Sequence, residues 1–430
     1  MKTLKIAIIL GVLLPAIASA QTLLETYKSG KVQLVPDPTF GQDVDWNTVF
    51  ESYNDTLYGR WRGNDKSLTV LPDGSVVVSH TYRDFYTRFD ANGRFVEEFG
   101  VKRPDGGHYR SLRHVQGVLK NNVLYSGLDN MGNMLCFDLR GNLIKTLQMD
   151  YMARQIIALP DNNLALVGWV LWSDRVREFV AIIDYETNEE KIIWDHFDPR
   201  RFGAGTHRFN YMYNFKDGGS ISFTTMPFTR ALGLSQPPQI ASVGNMLVVT
   251  IPSTGEIRTY DLDGNFVSSQ KISWSKGYIS VEEQKEIQEK AIARYRAMSN
   301  PVFASFASEA ENIAARDYFI SEMEKDLQRI KDPIPMPYFA NLIKDSDDNL
   351  LFFEFPKEEG ANAFNVWVYQ NGGEFIARSS FSTEGYDLEI KPSKMAFHNG
   401  YLYALVTKDN TQGIPLRLVR FTLEPQGKNY

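Results

Sequence analysis

Between residues 80 and 230 the connections that join short apolar runs are rich in arginine. They carry Arg83, Lys102, Arg103, Arg110, Arg113, Arg154, Arg175, Arg177, Arg200, Arg201, Arg208 and Arg230, against Asp84, Asp105, Asp150, Asp174, Glu178 and Asp198. A guanidinium is a planar fork that grips carboxylate or sulfate through paired N–H donors. Gathered in a chain whose formal charge is −6, such residues provide a local field for an anion. His80, His108, His114 and His207 fall in the same stretches, as do Tyr82, Phe85, Tyr109, Trp169, Trp172, Phe202 and Tyr211. Arg83, Arg110, His114, Arg154, Trp172, Arg175, His207 and Arg208 form the candidate ligand-binding set. The competing account is plainer. The arginines pair with nearby acids, and the rings, Trp169 above all, pack between strands.

Catalysis has less behind it. His114 and His207, with Asp129 or Asp84, could serve as acid and base or hold a metal, but a metal site needs three or four convergent ligands. No His-Glu-x-x-His, Gly-x-Ser-x-Gly, P-loop or EF-hand pattern occurs. No metal and no cofactor are expected. The lone Cys136 excludes an internal disulfide and a cysteine-based zinc cluster, and its apolar neighbours should bury it.

Short strands must position these residues. SLTVLPDGSVVVSHTYRDFYTRFDANGRFVEEFG (67–100) reads as four strands joined by Pro-Asp-Gly, a longer loop and Asp-Ala-Asn-Gly. Similar units run over 116–148, 154–197, 239–272 and 339–381, with a three-stranded one at 394–423. Gly74 to Gly93, Asn122 to Gly141 and Asn245 to Gly264 are each 19 residues apart. Glycine and asparagine accept positive φ at low cost, which suits tight hairpins. Turns repeating in phase predict an all-β fold, a β-propeller of four-stranded antiparallel blades. Six blades are expected, or seven if the hairpin at 209–228 counts. KVQLV (31–35) could supply the last unit's missing strand and close the ring. In such a blade the a–b and c–d turns emerge at one end, and the b–c and d–a connections at the other. The arginines then sit on the long-loop end, and aspartates such as Asp73, Asp138 and Asp263 on the turn end.

With its DPTFGQDVDWNTVF stretch (37–50), its strand-Asp-Gly-strand units and an N-terminal leader, the chain resembles secreted six-bladed β-propeller proteins of Gram-negative bacteria. These are NHL- and TolB-like in shape and of unknown function. The resemblance implies fold and compartment, and it transfers no active site. The leader itself has Lys2 and Lys5, an apolar core at 6–18 and Ala18-Ser19-Ala20, predicting a signal peptide (1–20) cleaved before Gln21. About 13 apolar residues are too few to span a bilayer. Residues 21–430 are then one propeller domain in the periplasm or outside the cell. Without the leader, 44 basic residues face 52 acidic ones, and no basic run suggests nucleic acid.

Residues 280–331 break the strand pattern. Ser280 with Glu283 and Ser308 with Glu311 read as capping boxes, and Asn300-Pro301 as an N-cap with proline at the first helical position. Pro333, Pro335 and Pro337 end the helices. This helical insertion is either a lid or a platform for a protein partner, or it merely covers the rim. The expected function is non-catalytic binding of an anionic small molecule or glycan (carboxylate, uronate or sulfated) on the long-loop face. A propeller lyase or hydrolase using His, Arg and Asp at the channel mouth is the first alternative. An assembly subunit docking through 280–331 is the second.

Overall fold

Turn chemistry sets the repeating unit. The computed structural model describes residues 23–51, 66–81, 83–129, 131–171, 176–198, 209–216, 218–225, 237–355, 362–370, 373–408 and 413–426. Asp138 Oδ1 accepts the backbone N–H groups of Arg140 and Asn142 at 2.9 and 2.8 Å, and Gly141 donates back to the Asp138 carbonyl at 3.0 Å. Asp90 to Arg94 and Asp261 to Asn265 repeat the arrangement. Gly93, Gly141 and Gly264 have φ of 76°, 74° and 75°, the left-handed geometry that such three-residue hairpin loops require.

These bonds also hold turn carboxyls below the usual range. The Ser75 hydroxyl does so for Asp73, the Thr187 N–H for Asp184, and the Asn265 N–H followed by its side chain for Asp261. A carboxyl with a lowered folded pKa stabilises the native state above its unfolded value of about 3.9. That contribution is lost as pH falls through the folded value. The melting temperature should therefore drop as pH is lowered from about 5 to about 3. Asp261→Asn, which keeps an acceptor without the charge, should flatten that drop. An acid limb identical in the variant would exclude Asp261 as a contributor.

The strands assemble into six blades. Blade 1 is Lys66–Val70, Val76–His80, Tyr86–Phe89 and Phe95–Phe99, and blade 2 is Val115–Leu119, Val123–Ser126, Asn133–Phe137 and Leu143–Gln148. Blade 3 is Met152–Ala158, Leu164–Leu171, Val176–Ile183 and Glu190–Asp198. Blade 4 is Gln239–Val243, Met246–Ile251, Glu256–Asp261 and Phe266–Lys271. Asn341–Lys344, Leu350–Phe353, Ala363–Gln370 and Glu374–Thr383 make blade 5. Blade 6 takes Met395–His398, Tyr401–Lys408 and Leu416–Pro425, and its outer strand is Lys31–Pro36 from the other end of the chain. That closing strand runs antiparallel to Leu416–Pro425 and also pairs, in parallel, with the outer strand of blade 5. Short helices α1 (Leu23–Lys28) and α2 (Trp46–Val49) flank it.

The innermost strands neighbour one another in a closed circle, blade 1 to 2, 2 to 3, 3 to 4, 4 to 5, 5 to 6 and 6 to 1. Side-chain amides stitch part of it. Gln155 donates to the Ile240 carbonyl (2.9 Å) and accepts from the Ile240 N–H (3.0 Å), so blade 3 grips blade 4 as a strand would. Gln239 treats Ala340 and Leu342 of the next blade the same way, and Asn341 reaches the Ile390 carbonyl at 2.7 Å. A central space of about 460 Å³ lies against the inner strands of blades 3 to 6, including Ile157, Ile240, Leu342 and Met395.

A second set of contacts works at the periphery. Lys145 in the outer strand of blade 2 donates to the Tyr185 and Glu186 carbonyls in the turn of blade 3. Lys191 of blade 3 does the same to Asp263 of blade 4. Lys102, just past the outer strand of blade 1, donates its backbone N–H to Gly141 (2.7 Å) and its ammonium to Asn142 (3.0 Å) in the turn of blade 2. This corrects the placement of Lys102 on the ligand face. The segment just past the outer strand of blade 1 thus lies against the c–d turn of blade 2, as expected where twist accumulates from the inner to the outer strand.

The hairpin Phe209–Asn214 and Ser220–Thr225 belongs to no blade. It packs on the helical insertion, α3 (Val281–Arg296) and α4 (Glu309–Leu327), through Tyr213, Phe215, Ile292, Tyr295, Phe319 and Met323. Among the described residues this apolar cluster contains none from the blades. Ser280 forms the full capping box with Glu283. Ser308 caps α4, but Glu311 turns away to accept the Lys216 N–H of the hairpin at 2.9 Å. Pro301 lies in the connector rather than at the start of a helix. Asn312, inside α4, fixes that connector by accepting the Phe303 and Ala304 N–H groups.

Candidate functional site

The b–c loop of blade 1 and the connection from blade 1 to blade 2 are sewn together. Leu112 N–H donates to the Arg83 carbonyl (2.7 Å), Ser111 N–H to Asp84 Oδ1 (2.9 Å), and the Tyr86 hydroxyl to the Arg113 carbonyl (2.7 Å). His114 Nε2 meets the Thr81 hydroxyl at 2.6 Å, and Val115 N–H donates to the Ser79 hydroxyl at 3.2 Å. The seam brings Arg83, Arg110, Arg113 and His114 to one corner at the long-loop end of two neighbouring blades. Asp84, the acid lying between them, is engaged by backbone. Arg83 is half-buried and Arg110 exposed, and neither has a carboxylate partner among the described residues.

Cations also lie where none was anticipated. Lys66, which begins the innermost strand of blade 1, is buried and stands opposite buried His80 in register. Lys394, immediately before the innermost strand of blade 6, is 5% exposed. Burial pushes its pKa down, against the attraction of Glu389. Glu389 is itself held low, despite its own burial, by Lys394 and Lys391. Lys391 and Lys394 share the Glu389 carboxylate, and Asp387 also acts on Lys394. The sequence signal was a lysine opening a strand at a position where an apolar residue is the usual choice, as in KSLTV and KMAFH.

The rest of the candidate set divides. Arg154 sits on blade 3 with its guanidinium 5.1 Å from the Trp169 ring centroid, and Trp169 is half-buried beneath it rather than wholly in the core. Trp172, Arg175, His207 and Arg208 lie outside the described residues. Local pairing does account for Arg103 with Asp105 (2.8 Å) and Arg177 with Asp195 (3.0 Å). Phe85 and Tyr109 pack against apolar clusters.

The acids once paired with His114 are committed elsewhere. Asp129 accepts the Met131 and Asn133 N–H groups and the Asn133 side-chain amide. Among the described residues no three His, Cys, Asp or Glu side chains converge in a way that could hold a metal. Cys136 is buried, and desolvation lifts its thiol to about 12, far from a reactive thiolate.

No family model matches the chain, and no curated protein matches it. Among solved structures, a DUF4221 family member from Bacteroides vulgatus is similar at 13% identity, over 92% of this chain and 99% of that one, with a TM-score of 0.43. A Bacteroides fragilis protein described as exported is similar at 11% identity, over 85% and 97%, with a TM-score of 0.44. Streptogramin B lyase is similar at 10% identity, over 84% and 94%, with a TM-score of 0.35. Likenesses this loose carry no argument about activity. The propeller rests on the strand pairing and the closed circle of blades.

Proposed function

We propose that this propeller binds an anionic ligand, a carboxylate, uronate or sulfated glycan, at the long-loop corner of blades 1 and 2. The observation that carries this reading is the pair Arg83 and Arg110. Both lack a carboxylate partner among the described residues, on two loops whose relative position is fixed by hydrogen bonds. Like charges held together repel when the site is empty, and a multivalent anion relieves that repulsion.

Binding to the native state alone raises stability by RT ln(1 + [L]/Kd), about 2.7 kcal/mol at a hundredfold excess over Kd. A thermal shift is expected with citrate, oligogalacturonate or a sulfated oligosaccharide, and it should fade as sodium chloride shortens the Debye length below about 8 Å. Arg83→Ala with Arg110→Ala should remove most of the shift, while Asp263→Ala in the turn of blade 4 should not. Equal losses from both, or no shift with any of these anions, would sink the proposal.

Export is the second part of the reading. It is supported by the charged, apolar and small-residue segments of residues 1–20. No helix among the described residues is long and apolar enough to cross a membrane. Protein recovered from the native host should begin at Gln21, and an intact N-terminus on an extracellular product would overturn this.

A further inference from the structure

Blades 3 and 4 touch through Val180, Ile182, Leu247, Val249 and Tyr260, and Lys191 bonds the Asp263 carbonyl at the turn end, but they part at the long-loop end of their outer strands. There they enclose a cleft of about 670 Å³, within the range of small-molecule sites. One wall is the outer strand of blade 3, where half-buried Trp194 and exposed His196 lie two residues apart. Their rings stack, with centroids 6.2 Å apart and planes inclined at 28°. The facing wall is the third strand of blade 4. Arg258 holds Glu256 there through two bonds, Nε to Oε1 at 2.8 Å and Nη2 to Oε2 at 3.2 Å. Glu178 lines the cleft as well.

We propose that this cleft is a second ligand site, built for an uncharged saccharide. The charge pattern decides against an anion. Arg258 and Arg177 are each matched by a carboxylate, Glu256 and Asp195, so the cleft offers no uncompensated arginine from this pair. Pairing leaves both groups with recognition capacity. The Arg258 guanidinium has five N–H donors, gives two to Glu256 and also engages the Tyr260 hydroxyl, which still leaves donors over, while each Glu256 oxygen keeps a lone pair beyond its Arg258 bond. Fixed donors and acceptors side by side match vicinal hydroxyls, which both give and take hydrogen bonds. The opposite wall carries the Trp194 indole and the exposed His196 ring, aromatic surface that suits the C–H face of a pyranose ring. Aromatic rings facing a hydrogen-bonding wall fit a ligand that is apolar on its faces and polar at its edge.

The site is independent of the arginine corner, so the two readings fail separately. Full-length mature protein would be titrated with maltotriose, cellotriose and mannotriose, followed by saturation-transfer NMR on the sugar protons. At least one should bind, with ring C–H protons receiving the strongest transfer and affinity unchanged by added salt. Trp194→Ala and Arg258→Met should each weaken binding by about tenfold or more, a loss of the order of one good hydrogen-bonded or stacking contact. Arg83→Ala should leave it unaltered. Trp194 also packs toward the core, so Arg258→Met serves if the tryptophan variant does not fold. Binding by none of the three sugars would overturn the proposal, as would binding that survives both substitutions. Binding confined to charged sugars and abolished by salt would overturn it too.

Discussion

Leu34→Asp should be among the most damaging single changes in this protein, removing about 4 kcal/mol or more of stability. Leu34 is 1% exposed in the closing strand, set between Leu423 on one side and Thr383 on the other. A carboxylate there loses the contacts of a core leucine and enters an apolar cluster that includes Leu351, Phe381 and Phe421. The damage would not stay local, because the same strand completes blade 6 and joins it to blade 5. Gln33→Asp, one residue away on the opposite face, should cost far less, since Gln33 is half-buried and its side chain accepts the Ser382 hydroxyl at 3.0 Å. Equilibrium unfolding in urea would compare them. Similar midpoints for the two variants would mean the ring holds without its closing strand.

Gly141→Ala should rank close behind. Gly141 has φ of 74°, where a Cβ costs about 1–2 kcal/mol by itself. That Cβ would also stand 2.0 Å from the Gly100 carbonyl oxygen of blade 1, a backbone atom that cannot swing aside. The Gly141 carbonyl accepts the Lys102 N–H, so relieving the clash pulls apart the seam between the two blades. Forced overpacking adds about 1–3 kcal/mol. Gly385→Ala is the control. Its φ of 73° is nearly the same, but no atom lies within 4 Å of its added Cβ. The difference between the two variants in urea should reach about 2 kcal/mol, and the Gly141 variant should also lose anion binding at the blade 1 and 2 corner. Equal destabilisation would mean that only backbone conformation is at stake.

The blade repeat was legible because its signal is local. An aspartate, a left-handed glycine and an asparagine within five residues fix a hairpin whatever surrounds it, as at Asp138–Asn142 and Asp261–Asn265. Capping boxes are equally local, and the one at Ser280 is present in full. What failed depended on partners distant in sequence. Glu311 left its box for Lys216, 95 residues away, and Lys102 left the ligand face for the turn at Gly141. Sorting residues by blade end assumed flat blades, and twist breaks that assumption at the outer strand. Of the candidate site, the corner of Arg83, Arg110 and His114 was readable from the connections that carry them. Lys66 and Lys394 were not, since a lysine inside a strand pattern reads as solvent-facing until its neighbours close over it.

The closing strand also orders events in time. A chain made from its N-terminus presents Lys31–Pro36 among its earliest ordered segments, yet that strand's antiparallel partner is Leu416–Pro425. Closing a loop of this length before any pairing is gained is slow, so the ring must be the last thing to form. Until then the exposed edges of Lys31–Pro36 and of the blade 6 sheet both wait unpaired, each able to template pairing with another chain. The geometry that leaves the finished ring without an open seam between its first and last blades makes the unfinished protein most open to mispairing just before it is complete.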